Sequence, residues 1–205
     1  MNEKLRQIIT AKALTEGGDY TPDPAWVGDA LNALANGWVP GITLHQPYAS
    51  LIAMGLKQWE TRHWRTHQRG WVLIDGAARK PRRAELEAIA ARLPGVEKEA
   101  VVAELEKMNI RGTTCLAQLG RCAQMTHDAV LGNSYKINLK MVSQVEKAFG
   151  NWESGRYAFG FNRIIPIPQP LIVPLSGIEK RRRWWRADAD FLEKIAAQIR
   201  EVSAA

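Results

Sequence analysis

The apolar positions of this chain change period several times, and each change marks an element. Val27, Leu31 and Leu34 recur at i, i+4 and i+7 behind Asp23 and Pro24, which suit an N-cap and a first helical residue, so a helix is expected there. Upstream of it, Glu3 to Leu14 has helical composition and Gly17 to Pro22 reads as a loop. Ile42, Thr43 and Leu44 form a strand-like run that His45-Gln46-Pro47 breaks. Pro47 can open a helix, Tyr48 to Met54 is a short apolar helix, and Gly55 ends it. Gly70 to Asp75 reads as a strand, and Arg82–Leu93 and Val96–Met108 as helices separated by Pro94-Gly95. Thr113–Gln124 is the next strand, Thr126–Leu139 a loop and Met141–Phe149 a short helix. Arg156–Phe161 and Ile164–Val173 read as two strands, the second placed at a sheet edge by its prolines. Ala187–Val202 is a closing helix with Phe191, Ile195, Ile199 and Val202 on one face. Strands dispersed among helices predict a mixed α/β or α+β domain.

Composition narrows the class. The 205 residues, 46% of them hydrophobic, suit one domain with a single core and an added helical piece. No apolar run approaches the length of a membrane span, and the first residues lack a signal-peptide core, so the sequence reading places the chain in the cytoplasm and away from membranes. Cys115 and Cys122 give no disulfide framework. A net charge of +7 favours a polyanionic partner. Of the eight tryptophans, Trp59, Trp64 and Trp71 fall in one stretch, and Trp184 and Trp185 sit inside a basic run. Cations interleaved with aromatics suit stacking on unpaired bases. The plainer alternative is core tryptophans beneath a solvated charged face.

The densest candidate chemistry lies in Gly55-Leu56-Lys57-Gln58-Trp59-Glu60-Thr61-Arg62, where a helix hands over to a strand. Glu60 and Arg62 share a strand face, and Lys57 can reach the same rim from the turn. Two cations beside one carboxylate hold it ionised, so Glu60 is a poor general acid and Lys57 keeps its proton. Such a set is either an electrostatic clamp for a phosphate or base edge, or an ion network fastening helix to strand. Arg65 and Arg69 follow it, Arg79 and Lys80 form a second basic patch, and Arg181, Arg182 and Arg183 a third, all expected as phosphate contacts. His63 and His67 are spaced as a ligand pair for a helix, whereas this segment reads as strand and turn, Cys115 and Cys122 lack ligand spacing, and no glycine-rich phosphate loop is present, so neither metal nor cofactor is expected.

Gly55, Lys57, Glu60 and Arg62 match G-x-K-x-x-E-x-R, the signature of the ASCH domain, the module named after the C-terminal region of the activating signal cointegrator. His45-Gln46-Pro47-Tyr48-Ala49-Ser50-Leu51 before it and Arg62-His63-Trp64-Arg65-Thr66-His67-Gln68-Arg69-Gly70 after it also resemble that family. So do Gly155-Arg156-Tyr157-Ala158-Phe159 and Pro166-Ile167-Pro168-Gln169-Pro170, and the likeness runs over about 42–185. The resemblance implies an α+β, PUA-like small β-barrel surrounded by helices. It divides the chain into a helical extension at 1–40, the ASCH domain at 41–186 and a C-terminal helix at 187–205. It implies a ligand cleft holding Gln46, Lys57, Glu60, Arg62, Trp64, Arg65 and Arg69, with nucleic acid, RNA before DNA, as the partner.

Two enzymatic alternatives come with the family, and a third reading does not involve catalysis. Some members resemble N4-acetylcytidine amidohydrolases with a Lys, a Thr and a Glu; here Lys57 matches, but Glu60 stands at the Thr position, Thr61 is one place off, and Thr113–Gln124 carries no acid. Others resemble ribonucleases, for which Lys57, Tyr48 and Ser50 supply candidates. The third reading is a protein-interaction module.

Overall fold

A computed structural model describes Leu5 and residues 24–37, 39–108, 110–128, 135–173 and 183–204. In chain order the described elements are α1 (Pro24–Ala35), β1 (Pro40–Leu44), α2 (Tyr48–Ala53), β2 (Trp59–Arg62), β3 (Gly70–Gly76), α3 (Arg83–Ala90), α4 (Lys98–Glu106), β4 (Gly112–Thr126), β5 (Lys136–Asn138), a 3-10 turn (Leu139–Met141), α5 (Gln144–Ala148), β6 (Tyr157–Leu171), β7 (Trp185–Arg186) and α6 (Ala189–Ala204). The fold is mixed α+β. The Glu3–Leu14 helix lies outside the described residues, except for Leu5, which is helical and fully buried. Pro47 stands one residue before α2, at its cap, and Gly55 ends that helix with φ of 71°, a conformation a side chain would strain.

The strands form one sheet in the order β2-β6-β4-β3-β1-β7, with β5 beside β4. β1 runs parallel to β3 and β5 parallel to β4, and the other neighbours are antiparallel. Both faces of the central strands are covered. On β3, Trp71 and Leu73 join a cluster with α1 and α6, while Val72 and Ile74 face a second cluster with α2. Alternation along a strand covered on both faces is why Gly70–Asp75 reads as a continuous apolar run. A third cluster joins α2, α3 and α4 around Leu51, Leu86, Val101 and Leu105.

Three expectations change. The sheet is not closed into a barrel: β2 and β7 end the strand path unpaired to each other. In the aromatic cluster, Trp64 meets Phe159 edge-on at 5.0 Å and Trp184 at 6.1 Å. Second, Arg156–Phe161 and Ile164–Val173 are one 15-residue strand, β6. Its first part lies between β2 and β4, and only its proline-bearing part, beyond the reach of the four-residue β2, is an edge. Third, the loop expected at 126–139 contains β5.

Candidate functional site

The α2–β2 junction builds the site's interior. After Gly55 the chain turns back on α2 through Leu56 and Lys57 amides donated to the Leu51 carbonyl. Lys57 is thereby directed inward and has no exposed surface. Its ammonium donates to the Trp59 carbonyl, lies 3.7 Å from Glu60 Oε2 and sits 5.8 Å from the centre of the Tyr48 ring. Glu60 and Arg62 share a face of β2, and Arg62 Nε stands 3.0 Å from Glu60 Oε1, an ion contact without hydrogen-bond alignment. Arg62 Nη2 donates across the open side of the sheet to the Thr43 carbonyl of β1 at 3.2 Å. The three signature side chains thus form an alternating chain of charge running from Lys57 in the core to Arg62 at the surface.

A fourth charge joins them. Glu146 of α5 accepts from the Gln58 amide, and its other oxygen is buried with no hydrogen-bond partner. Burial pushes its carboxyl above the usual range, while Lys57 and the Gln58 amide pull it back down. A buried cation among two carboxylates and a carbonyl is held by many contacts, and removing it would strand charge in the interior.

The surface end of the chain opens onto aromatics. Trp184 stacks on Phe159 at 6.4 Å, and Arg183 lies over Trp64 at 4.9 Å from the ring centre. Trp64 is nearly buried and Trp184 half-buried. Beside them Thr43 donates to Asp75 at 3.0 Å and accepts from the Trp185 indole at 3.1 Å. A Cβ at Gly41 would collide with that indole, so glycine there seats Trp185 against β1. Burial pushes the Asp75 carboxyl up to about 6, with the Thr43 hydroxyl and Arg111 opposing.

The remaining sequence candidates separate by surroundings. Arg65 and Arg69 are exposed, and among the described residues Arg69 donates only to the Thr66 and Gln68 carbonyls. Gln46 is buried, donating to the Ile110 carbonyl and accepting from the Ser50 amide. Ser50 donates to the Met108 carbonyl and lines a groove of about 610 Å³ with Met54 and Pro168, away from Lys57. Tyr48 is half-buried, and its phenol is raised by that burial. Arg79 is tied by both guanidinium nitrogens to Glu85, and Lys80 is exposed. Arg181 and Arg182 lie outside the described residues.

Sequence reasoning missed Glu146, Thr43 and Asp75. Glu146 has no signal, being 89 residues from Lys57; Thr43 and Asp75 were visible only as polar positions inside strands. Among the described residues no group of three or more His, Cys, Asp or Glu side chains is placed to hold a metal, and no helix is long and apolar enough to cross a membrane. Both cysteines are buried and free.

The ASCH domain family model matches residues 42–149. A 55-residue stretch, 27% of the chain, is 40% identical to activating signal cointegrator 1 of Homo sapiens and spans 9% of that protein's length. The chain belongs to the ASCH domain family.

Proposed function

We propose that this ASCH protein binds nucleic acid, RNA in preference to DNA, along the open side of the sheet where β2 faces β1. The observation that carries the reading is a set of cations around a partly open aromatic cluster. Arg65, Arg69 and Arg183 have no carboxylate partner among the described residues; Arg183 lies over Trp64, whose ring meets the half-buried Trp184. Phosphates would meet the arginines, and a base the exposed part of the Trp184 ring. Lys57 and Glu60 would act from behind, fixing Arg62 against the Thr43 carbonyl. The preference for RNA rests on the family resemblance, whose activities concern RNA and its nucleosides. A catalytic reading gains nothing from the geometry, because Lys57 has no exposed surface and Ser50 opens on a different groove.

The test is fluorescence anisotropy with single- and double-stranded RNA and DNA of equal length across a salt series. Contact with about four phosphates of a single strand gives log K against log salt a slope of roughly −3. Binding indifferent to salt, or absent at low salt, overturns the reading, and indifference to nucleic acid at physiological salt favours the interaction-module alternative.

A further inference from the structure

One row of side chains crosses four strands beside this opening. Arg62 on β2 pairs in register with Tyr157 on β6, Tyr157 with Gln124 on β4, and Gln124 with Lys136 on β5. In-register neighbours project to the same face of a sheet. Beyond Arg62, this row lines a separate cavity of about 240 Å³ with Arg65, Cys122 and Tyr135.

The chemistry of its walls is specific. Cys122 is buried and forms an apolar floor. Gln124 is half-buried, and its side-chain carboxamide, both donor and acceptor, has no hydrogen-bond partner among the described residues; the same holds for the half-buried Tyr157 phenol. Tyr135 is 67% exposed at the mouth, its backbone carbonyl accepting from the Gln124 backbone N–H at 2.8 Å. Arg65 and Lys136 are exposed, and neither has a carboxylate partner among the described residues. Among the described residues no acid lines the cavity. A ligand that uses these walls is flat, offers both hydrogen-bond donors and acceptors on its edge, and carries negative charge. The volume falls below the roughly 300–1,000 Å³ of pockets for larger ligands, which limits it to a small group.

The geometry points to a pocket for one unpaired nucleotide: the base lies against Tyr135, its edge meets Gln124 and the Tyr157 hydroxyl, and its phosphate lies between Arg65 and Lys136. This deepens the nucleic-acid reading and rests on it where the nucleotide belongs to a strand; a free mononucleotide offers the same chemistry.

The experiment compares a ten-residue abasic ribose-phosphate strand with the same strand carrying one central base, using the full chain. The wild type is expected to bind the one-base strand about tenfold more tightly, the scale of a stacked base. Gln124→Leu and Tyr135→Ala should each reduce that gain to under about twofold while binding the abasic strand as the wild type does. Equal wild-type affinity for both strands overturns the pocket and leaves the phosphate reading standing. A gain that survives in both folded variants also overturns it, since the base then lodges elsewhere. If neither strand binds at low salt, the strand reading falls, and titration with AMP, GMP, CMP and UMP decides the pocket alone. Mononucleotide binding weakened by Lys136→Gln and Gln124→Leu supports a free-nucleotide site, and no mononucleotide binding overturns it.

Discussion

Two basic regions of this protein look alike as strings of letters and differ as electrostatic surfaces. On α3 and just before it, Arg79 and Arg82 share Glu85, and Arg83 reaches Glu87, Glu99 and Glu106. Arg79 and Arg82 hold the Glu85 carboxyl down at about 2, so their own partner stays ionised at any ordinary pH. Around the open side of the sheet, Arg65, Arg69, Lys136 and Arg183 face no carboxylate among the described residues. A run of arginines attracts phosphate only when acids from the next element do not reach it first. Arg79 is therefore a weaker candidate contact than its position in a basic patch implies.

The comparison breaks first at its foundation. The open rim is held by buried charge, so Lys57→Met, which leaves Glu60 with Arg62 alone and takes the buried cation from beside Glu146, should cost about 3–5 kcal/mol in chemical denaturation. A loss under about 1 kcal/mol would mean that the network does not hold β2 in place.

Asp75 gives a pH handle on the rim's one raised carboxylate. Its folded value near 6 lies above the usual 3.8, so between these values the folded state binds more protons than the unfolded state. Its contribution therefore favours folding at low pH and is lost as pH rises from about 4 through 6. Asp75→Asn should flatten that part of the stability profile, by up to about 3 kcal/mol in the wild-type to variant difference between pH 4 and 7. Parallel profiles would remove Asp75 from the account.

Arg65, Arg69 and Arg183 converted together to Gln should weaken single-strand binding about tenfold or more in moderate salt and make the salt slope shallower by roughly 2. Arg79, Arg82 and Arg83 converted to Gln should change affinity less than about twofold. Equal losses from both triples would erase the distinction between neutralised and open surfaces. The smallest effect is expected from Arg83→Gln alone, whose solvent-exposed pairs should leave the denaturation midpoint where it was.

Much of the fold was legible because local patterns decide it: α1, α2, β3, β4 and α6 follow from periodicity, caps and prolines. The α3–α4 pair was legible too, with ends shifted by a few residues. Closure of the sheet was not, because it depends on whether the two ends of the strand path, β2 and the two-residue β7, come to pair, and they lie more than 120 residues apart in the chain. The spacing of Lys57, Glu60 and Arg62 led to the expectation of one solvent-accessible cleft; the three side chains adjoin, but Lys57 is sealed in, which follows from the turn after Gly55 and from Glu146. The i, i+4 pair of Arg83 and Glu87 was readable on a helix, whereas Glu99 and Glu106 reach Arg83 only after α4 folds back on α3. Tyr135 and Lys136 lay in a stretch that reads as loop, so the row from Arg62 to Lys136 had no signal in the sequence.

Pro166, Pro168 and Pro170 lie where β6 runs past the end of β2, and they bear on how this molecule behaves among its own copies. An uncovered strand ordinarily offers a row of amide donors to any passing chain, the first step of edge-to-edge aggregation. Imides at every second residue remove donors from one side of the strand, and in sheets prolines are confined to sides that face no partner. Both backbone groups of Gln169 in this segment are also taken by the Gln198 side chain of α6. The segment is thus a poor template for self-association, and the protein should remain monodisperse at concentrations where a proline-free β6 would not.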